Sequence, residues 1–138
     1  LFGLAGSWTE GAAALLRDGH ITAETANQIS LLEHFGRLIA NTDMHDGNLA
    51  FLPGLRLAPA FDMLPMLYAP QRGVELVERN FAPALPMPHE RRTWIQAAEA
   101  AIVFWRRAQQ DERISKGFKN ICKTNADQIQ RLLVAQRD

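Results

Sequence analysis

The chain has 138 residues, 15 basic and 15 acidic side chains, a formal net charge of zero and 47% hydrophobic residues. That is enough for one domain with a packed core, and it excludes a disordered chain. The even charge and the lack of an uninterrupted apolar run argue against a nucleic-acid or membrane-spanning protein. The single cysteine, Cys122, rules out an internal disulfide framework and fits a reducing compartment.

The opening "LFGLAGSWTE" begins without methionine and lacks the basic flank and apolar core of a secretory signal. The chain is therefore expected to be a piece of a longer protein. Ser7 reads as an N-cap with Glu10 completing a capping box, and "GAAALLRDG" as a short helix stopped near Gly19. A second helix starts at Thr22. Its apolar residues recur at Ile29, Leu32, Phe35 and Ile39, a helical spacing that should end just before Asn41.

"NLAFL" (48–52) and "LRLAP" (55–59) flank Pro53-Gly54, the pattern of a β-hairpin. Residues 69–88 hold four of the seven prolines and are expected to be loop with at most one helical turn. Pro88 can open a helix at its first position. Beyond it Trp94, Ala98, Ala101, Trp105 and Ala108 form one stripe, continued by Ile114, Phe118, Ile121 and Cys122. "TNAD" (124–127) resembles a further helix start, followed by a stripe of Ile129, Leu132 and Leu133. The expected fold is mainly α with a small β-hairpin.

"NTDMHDGNLAF" (41–51) departs from this pattern by crowding polar residues where a helix gives way to the hairpin. Asp43 and Asn48 form D-x4-N, and Asp62 lies beyond the second strand. A hairpin brings its two ends together, so Asn48, at the start of the first strand, and Asp62 should meet at the open end with Asp43 in reach. Oxygen donors gathered this way suit Mg²⁺, which is held by one or two carboxylates plus waters and substrate phosphates. Asp62 would supply charge and Asn48 a neutral oxygen, leaving Asp43 to accept a proton from a hydroxyl nucleophile. This is the division of labour in kinase-type phosphoryl transfer.

"GRLIANTDMHDGNLAFL" followed by "LRLAPAFDMLPMLY" resembles the C-terminal region of HipA-family serine/threonine kinases. Thr42, Asp43, His45 and Asn48 match that family's T-D-x-H-x-x-N segment, and Pro59, Phe61 and Asp62 its P-x-[FY]-D segment. The resemblance covers about residues 36–68 and implies Asp43 as catalytic base and Asn48 and Asp62 as Mg²⁺ ligands. His45, Asp46, Gly47, Asn48, Phe61 and Asp62 would then line the ATP phosphates. It also implies a cytoplasmic toxin of a toxin–antitoxin pair that phosphorylates a protein of the translation apparatus and is restrained by a DNA-binding antitoxin. The family's phosphate-covering loop and lysine have no counterpart here. "LFGLAG" is too sparse in glycine, and Lys116, Lys119 and Lys123 follow the motif. Residues 1–138 are thus expected to be the helical C-terminal lobe of a kinase-like fold without its N-terminal lobe, inactive in isolation.

Other readings stay open. Aminoglycoside- and choline-kinase-like enzymes also carry D-x4-N, but with histidine where this chain has Asn41. A non-catalytic module that binds an antitoxin or DNA would keep the scaffold without the chemistry. His45 either caps its turn or donates to a phosphate or to Asp43. Asp46 and Gly47 shape the loop, Gly47 through a positive φ or a close backbone approach. Asn41 reads as a C-terminal helix cap. Met63, Met66, Leu67, Trp94, Trp105 and Cys122 read as core, and Arg91–Arg92 and Arg106–Arg107 as solvated helix edges. His20, His34 and His89 lack partners at zinc-ligand spacing.

Overall fold

The computed structural model describes residues 7–71, 73 and 79–138. The segment "LFGLAG" and part of the proline-rich stretch lie outside the described residues.

Helix α1 (Trp8–Arg17) starts where expected, the Ser7 side chain accepting from the Glu10 N–H. It ends at a glycine, Gly19, with φ of 75°, a conformation that costs other residues more. Helix α2 (Ala23–Leu38) is capped by Thr22, whose hydroxyl accepts from the Thr25 N–H. A two-stranded antiparallel hairpin follows, β1 (Phe51–Leu52) and β2 (Arg56–Leu57), with Phe51 opposite Leu57 and Leu52 opposite Arg56. It is shorter than the sequence suggests. Gly54 and Leu55 both take positive φ, 84° and 57°, so the turn consumes residues that alternation assigns to the second strand. Asn48 is not in the first strand; it closes a 3-10 turn, Asp46–Asn48.

Pro88 opens a 3-10 turn that runs into α3 (Arg91–Gln110), and α4 (Lys116–Arg137) returns along it. The "TNAD" stretch does not start a helix. It lies inside α4, which is capped by Ser115 and begins at Lys116. Asn125 and Asp127 have tertiary partners that outweigh their local preference for caps. Asn125 is buried and donates to the Tyr68 hydroxyl at 3.0 Å, and Asp127 pairs with Arg106 at 2.6 Å. Arg106 is thus engaged rather than simply solvated.

Two apolar clusters hold these elements. In the larger one Trp94, Ala97, Ala98, Ala101 and Trp105 of α3 face Cys122, Ala126, Ile129 and Leu133 of α4, and the alanines let the helices approach closely. The α2 end, Leu38 to Ala40, joins this cluster together with Tyr68. In the smaller one Trp8, Ala12, Ile21 and Ile29 are packed by Met44, Leu49, Phe51 and Leu57. Helix α2 is the wall between them. Burial pushes the Cys122 thiol up to about 11, so it is an unreactive packing group.

Trp105 ties the layers. Its indole N–H donates to the Leu38 carbonyl at 3.0 Å, an orphan of the last turn of α2. Trp105→Phe should lower unfolding free energy by about 1–3 kcal/mol, the cost of an unpaired buried carbonyl, measured by urea denaturation. No loss would show that the bond is replaceable.

His34 of α2 is buried with Nε2 3.5 Å from Glu90. Burial lowers its pKa below 6.5 although the Glu90 charge opposes the shift. The unfolded chain then binds the proton more readily than the folded one, so stability should fall as pH drops below about 6.5. His34→Gln should flatten that slope in denaturation series at pH 5–7 (roughly the histidine range), and an unchanged slope would assign it to other groups.

Candidate functional site

The site is built on the end of α2. Ala40 takes φ of 62°, the Ala40 N–H donates to the Arg37 carbonyl at 3.2 Å, and the Asn41 N–H reaches back to Gly36 at 2.8 Å. These two bonds are a Schellman closure with alanine at the position glycine usually takes. The Ala40 carbonyl accepts from the Leu67 N–H at 3.0 Å.

The chain then enters the polar segment. The side chain of Asn41, 6% exposed, does not cap the helix as its sequence position suggests. Its Oδ1 accepts from the Asp43 N–H at 3.1 Å and its Nδ2 donates to the Asp62 carbonyl at 3.4 Å. Asp43 and Asp62, 19 positions apart in sequence, are thereby attached to one amide group. Both are exposed, as are His45, Asp46, Gly47 and Phe61. Asp62 itself has φ of 54°, a conformation uncommon for a residue other than glycine.

Asn48 is 7% exposed and its Oδ1 accepts from the His45 N–H at 3.2 Å, within its own turn. The amide oxygen has a second lone pair for another partner. His45 caps the same turn, Nδ1 accepting from the Gly47 N–H at 3.1 Å. Its Nδ1 is thus committed to the loop, which is the capping role of the two weighed. Gly47 does not have a positive φ. A Cβ there would come within 2.9 Å of the His45 ring, so close approach is what glycine permits. Among the described residues, no three His, Cys, Asp or Glu side chains gather as a metal site. The expected cation ligands are one carboxylate and one amide.

A cavity of about 360 Å³ opens between the start of α1 and this loop, lined in part by Glu33, Arg37, Thr42 and His45. Glu33 is buried and serves the scaffold, accepting from the Trp8 N–H at 2.6 Å and the Thr9 hydroxyl at 2.8 Å. This places the carboxylate at the N-terminus of α1, where charge and dipole agree.

Gly36 is the feature that sequence reading passed over. A Cβ on it would lie 2.3 Å from Met44 Sδ and 3.3 Å from Met63 Cε. Met44 follows Asp43 and Met63 follows Asp62, so both loops rest on the same bare strip of α2. A glycine inside a strongly periodic helix is the signal that could have found it.

A model of the HipA-like C-terminal domain family matches residues 6–130. The chain belongs to this family. A curated relative, Toxin YjjJ of Escherichia coli (strain K12), is 34% identical over 130 residues, which is 92% of this chain and 29% of that protein. The chain therefore spans less than a third of that relative's length. No solved structure gives a significant match. Among the described residues no helix is long and apolar enough to cross a membrane. The family match takes in the whole constellation from Gly36 to Met63.

Gly36→Ala should leave global stability nearly unchanged, because the helix-propensity gain of about 1 kcal/mol offsets repacking of the flexible Met44. It should nevertheless shift the amide resonances of residues 43–45 and 62–63. Resonances that stay in place would show that the loops do not depend on this contact.

Proposed function

We propose that this chain is the C-terminal catalytic lobe of a longer, cytoplasmic ATP- and Mg²⁺-dependent serine/threonine protein kinase that acts as a toxin. The observation that carries the reading is the Asn41 amide, with the Asp43 N–H at one end and the Asp62 carbonyl at the other. It supports the juxtaposition that phosphoryl transfer needs, a base beside a metal-binding carboxylate.

In this reading Asp43 is the base. It is exposed between Thr42 and Met44, which line the 360 Å³ cavity, and a serine hydroxyl that approaches it would give up its proton there. Asp62 and the free lone pair of Asn48 would hold Mg²⁺, with oxygen ligands of the type this cation prefers. The donor set fits in type: one charge and one neutral oxygen. Mg²⁺, when bound, neutralises charge on the phosphoryl group in transfer. His45, Asp46, Gly47 and Phe61 would line the phosphate side, and the family resemblance supports that placement. Residues outside this chain would close over the nucleotide. A toxin role fits the name of the curated relative, and a protein of the translation apparatus as substrate with a DNA-binding antitoxin as partner fits the family resemblance.

The test is phosphotransfer from labelled ATP by the intact protein. Asp43→Ala should cut the rate by roughly 10²–10⁴-fold, as for loss of a general base, with Mg·ATP still bound. Asp62→Ala should weaken Mg·ATP binding itself, measured by calorimetry. Unchanged affinity in Asp62→Ala would remove its assignment as a ligand, and transfer to an aminoglycoside or choline rather than a peptide serine would reassign the substrate class.

A further inference from the structure

We infer that Asn41 is a positioning residue that sets the base-bearing loop against the metal-bearing loop through the two ends of its side-chain amide. The inference rests on the kinase reading, which uses the Asn41 contacts only as a sign that the loops meet, and gives the side chain a role of its own.

The two loops are carried by different parts of the core. Met44 and Leu49 of the first pack on the cluster of Trp8, Ala12, Ile21 and Ile29. Met63 and Leu67 of the second pack on the cluster of α3 and α4. Their shared apolar floor at Gly36 fixes how deep each loop lies, but dispersion contacts have no direction. Hydrogen bonds do, with steep dependence on distance and angle. The Asn41 amide supplies both at once, accepting from the Asp43 N–H at 3.1 Å and donating to the Asp62 carbonyl at 3.4 Å. Nδ2 also lies 3.7 Å from Met63 Sδ.

The anchorage of Asn41 is itself rigid. Its N–H closes the last turn of α2 on Gly36 at 2.8 Å, and the residue is 6% exposed, so water does not compete well for the amide. Asp62 needs such a partner. Its φ of 54° costs about 1–3 kcal/mol for a residue other than glycine and persists where surroundings hold it. The donor aimed at its carbonyl is one such restraint. The geometry also explains the side chain. The position needs one acceptor and one donor on a short stem. Aspartate lacks the donor and leucine lacks both, whereas neutral histidine offers one of each.

The test compares Asn41→Ala, Asn41→Asp and Asn41→His with Asp43→Ala and Asp62→Ala in the intact protein, reading kcat, Mg²⁺ half-activation and Mg·ATP affinity alongside thermal melting. Asn41→Ala should lower kcat about 10–100-fold, the usual cost of losing a group that orients a ligand, and raise the Mg²⁺ requirement. Asn41→Asp keeps the acceptor for Asp43 and should match alanine in its Mg²⁺ requirement. Asn41→His should recover part of both. If Asn41→Ala does not fold, the near-isosteric aspartate variant carries the comparison. A structural role alone would reduce the folded fraction while leaving kcat per folded molecule and Mg²⁺ dependence unchanged, and that result overturns the inference. Wild-type kinetics in the Asn41 variants beside a dead Asp43→Ala would also overturn it while leaving the kinase reading intact. Wild-type rates in both Asp43→Ala and Asp62→Ala, or no Mg·ATP binding by the intact protein, would overturn the kinase reading and this inference with it.

Discussion

The end of α2 is the point on which the rest depends. A helix terminus leaves carbonyls without partners, and here they are met by groups distant in the chain. The Trp105 indole takes the Leu38 carbonyl and the Leu67 N–H takes that of Ala40. These bonds join α2 to α3 and to the segment after Asp62. The same closure turns Asn41 out of the helical path and into contact with both polar loops. Helix termination and site assembly are one event.

The distribution of charge follows the same division. The carboxylate inside the fold is used structurally: Glu33 is buried against the first turn of α1, where the Trp8 N–H and the Thr9 hydroxyl make burial tolerable. Asp43 and Asp62 stay exposed and open to ligands. Asn48 occupies the intermediate case. It is buried and half-satisfied by His45, which suits a neutral amide and would be costly for a third carboxylate.

Much of this was legible in the chain alone where the controlling physics is local. Ser7 and Thr22 cap helices because their hydroxyls accept from N–H groups three residues on. The Trp94–Trp105 stripe is buried because its spacing puts those residues on one helix face. Pro53-Gly54 makes the hairpin turn because Gly54 tolerates positive φ. The misreadings have the opposite character. Asn125 and Asp127 look like a cap but find Tyr68 and Arg106 across the fold. Asn41 closes the last turn of α2 through its N–H, but its side chain bridges two loops. Asn and Asp bond locally unless a tertiary partner competes, and sequence does not reveal the competitor.

The candidate site divides along the same line. The residue types and spacing of Asp43, Asn48 and Asp62, the family they mark, and the turn that folds the ribbon back all reside in the sequence, because hydrogen-bonding capacity and backbone preference belong to single residues. The meeting of the Asp43 and Asp62 segments at one amide, and their seat on the bare face of Gly36, were decided by tertiary structure. Those contacts depend on how two separate cores are set on either side of α2, and packing between distant segments leaves no period in the chain.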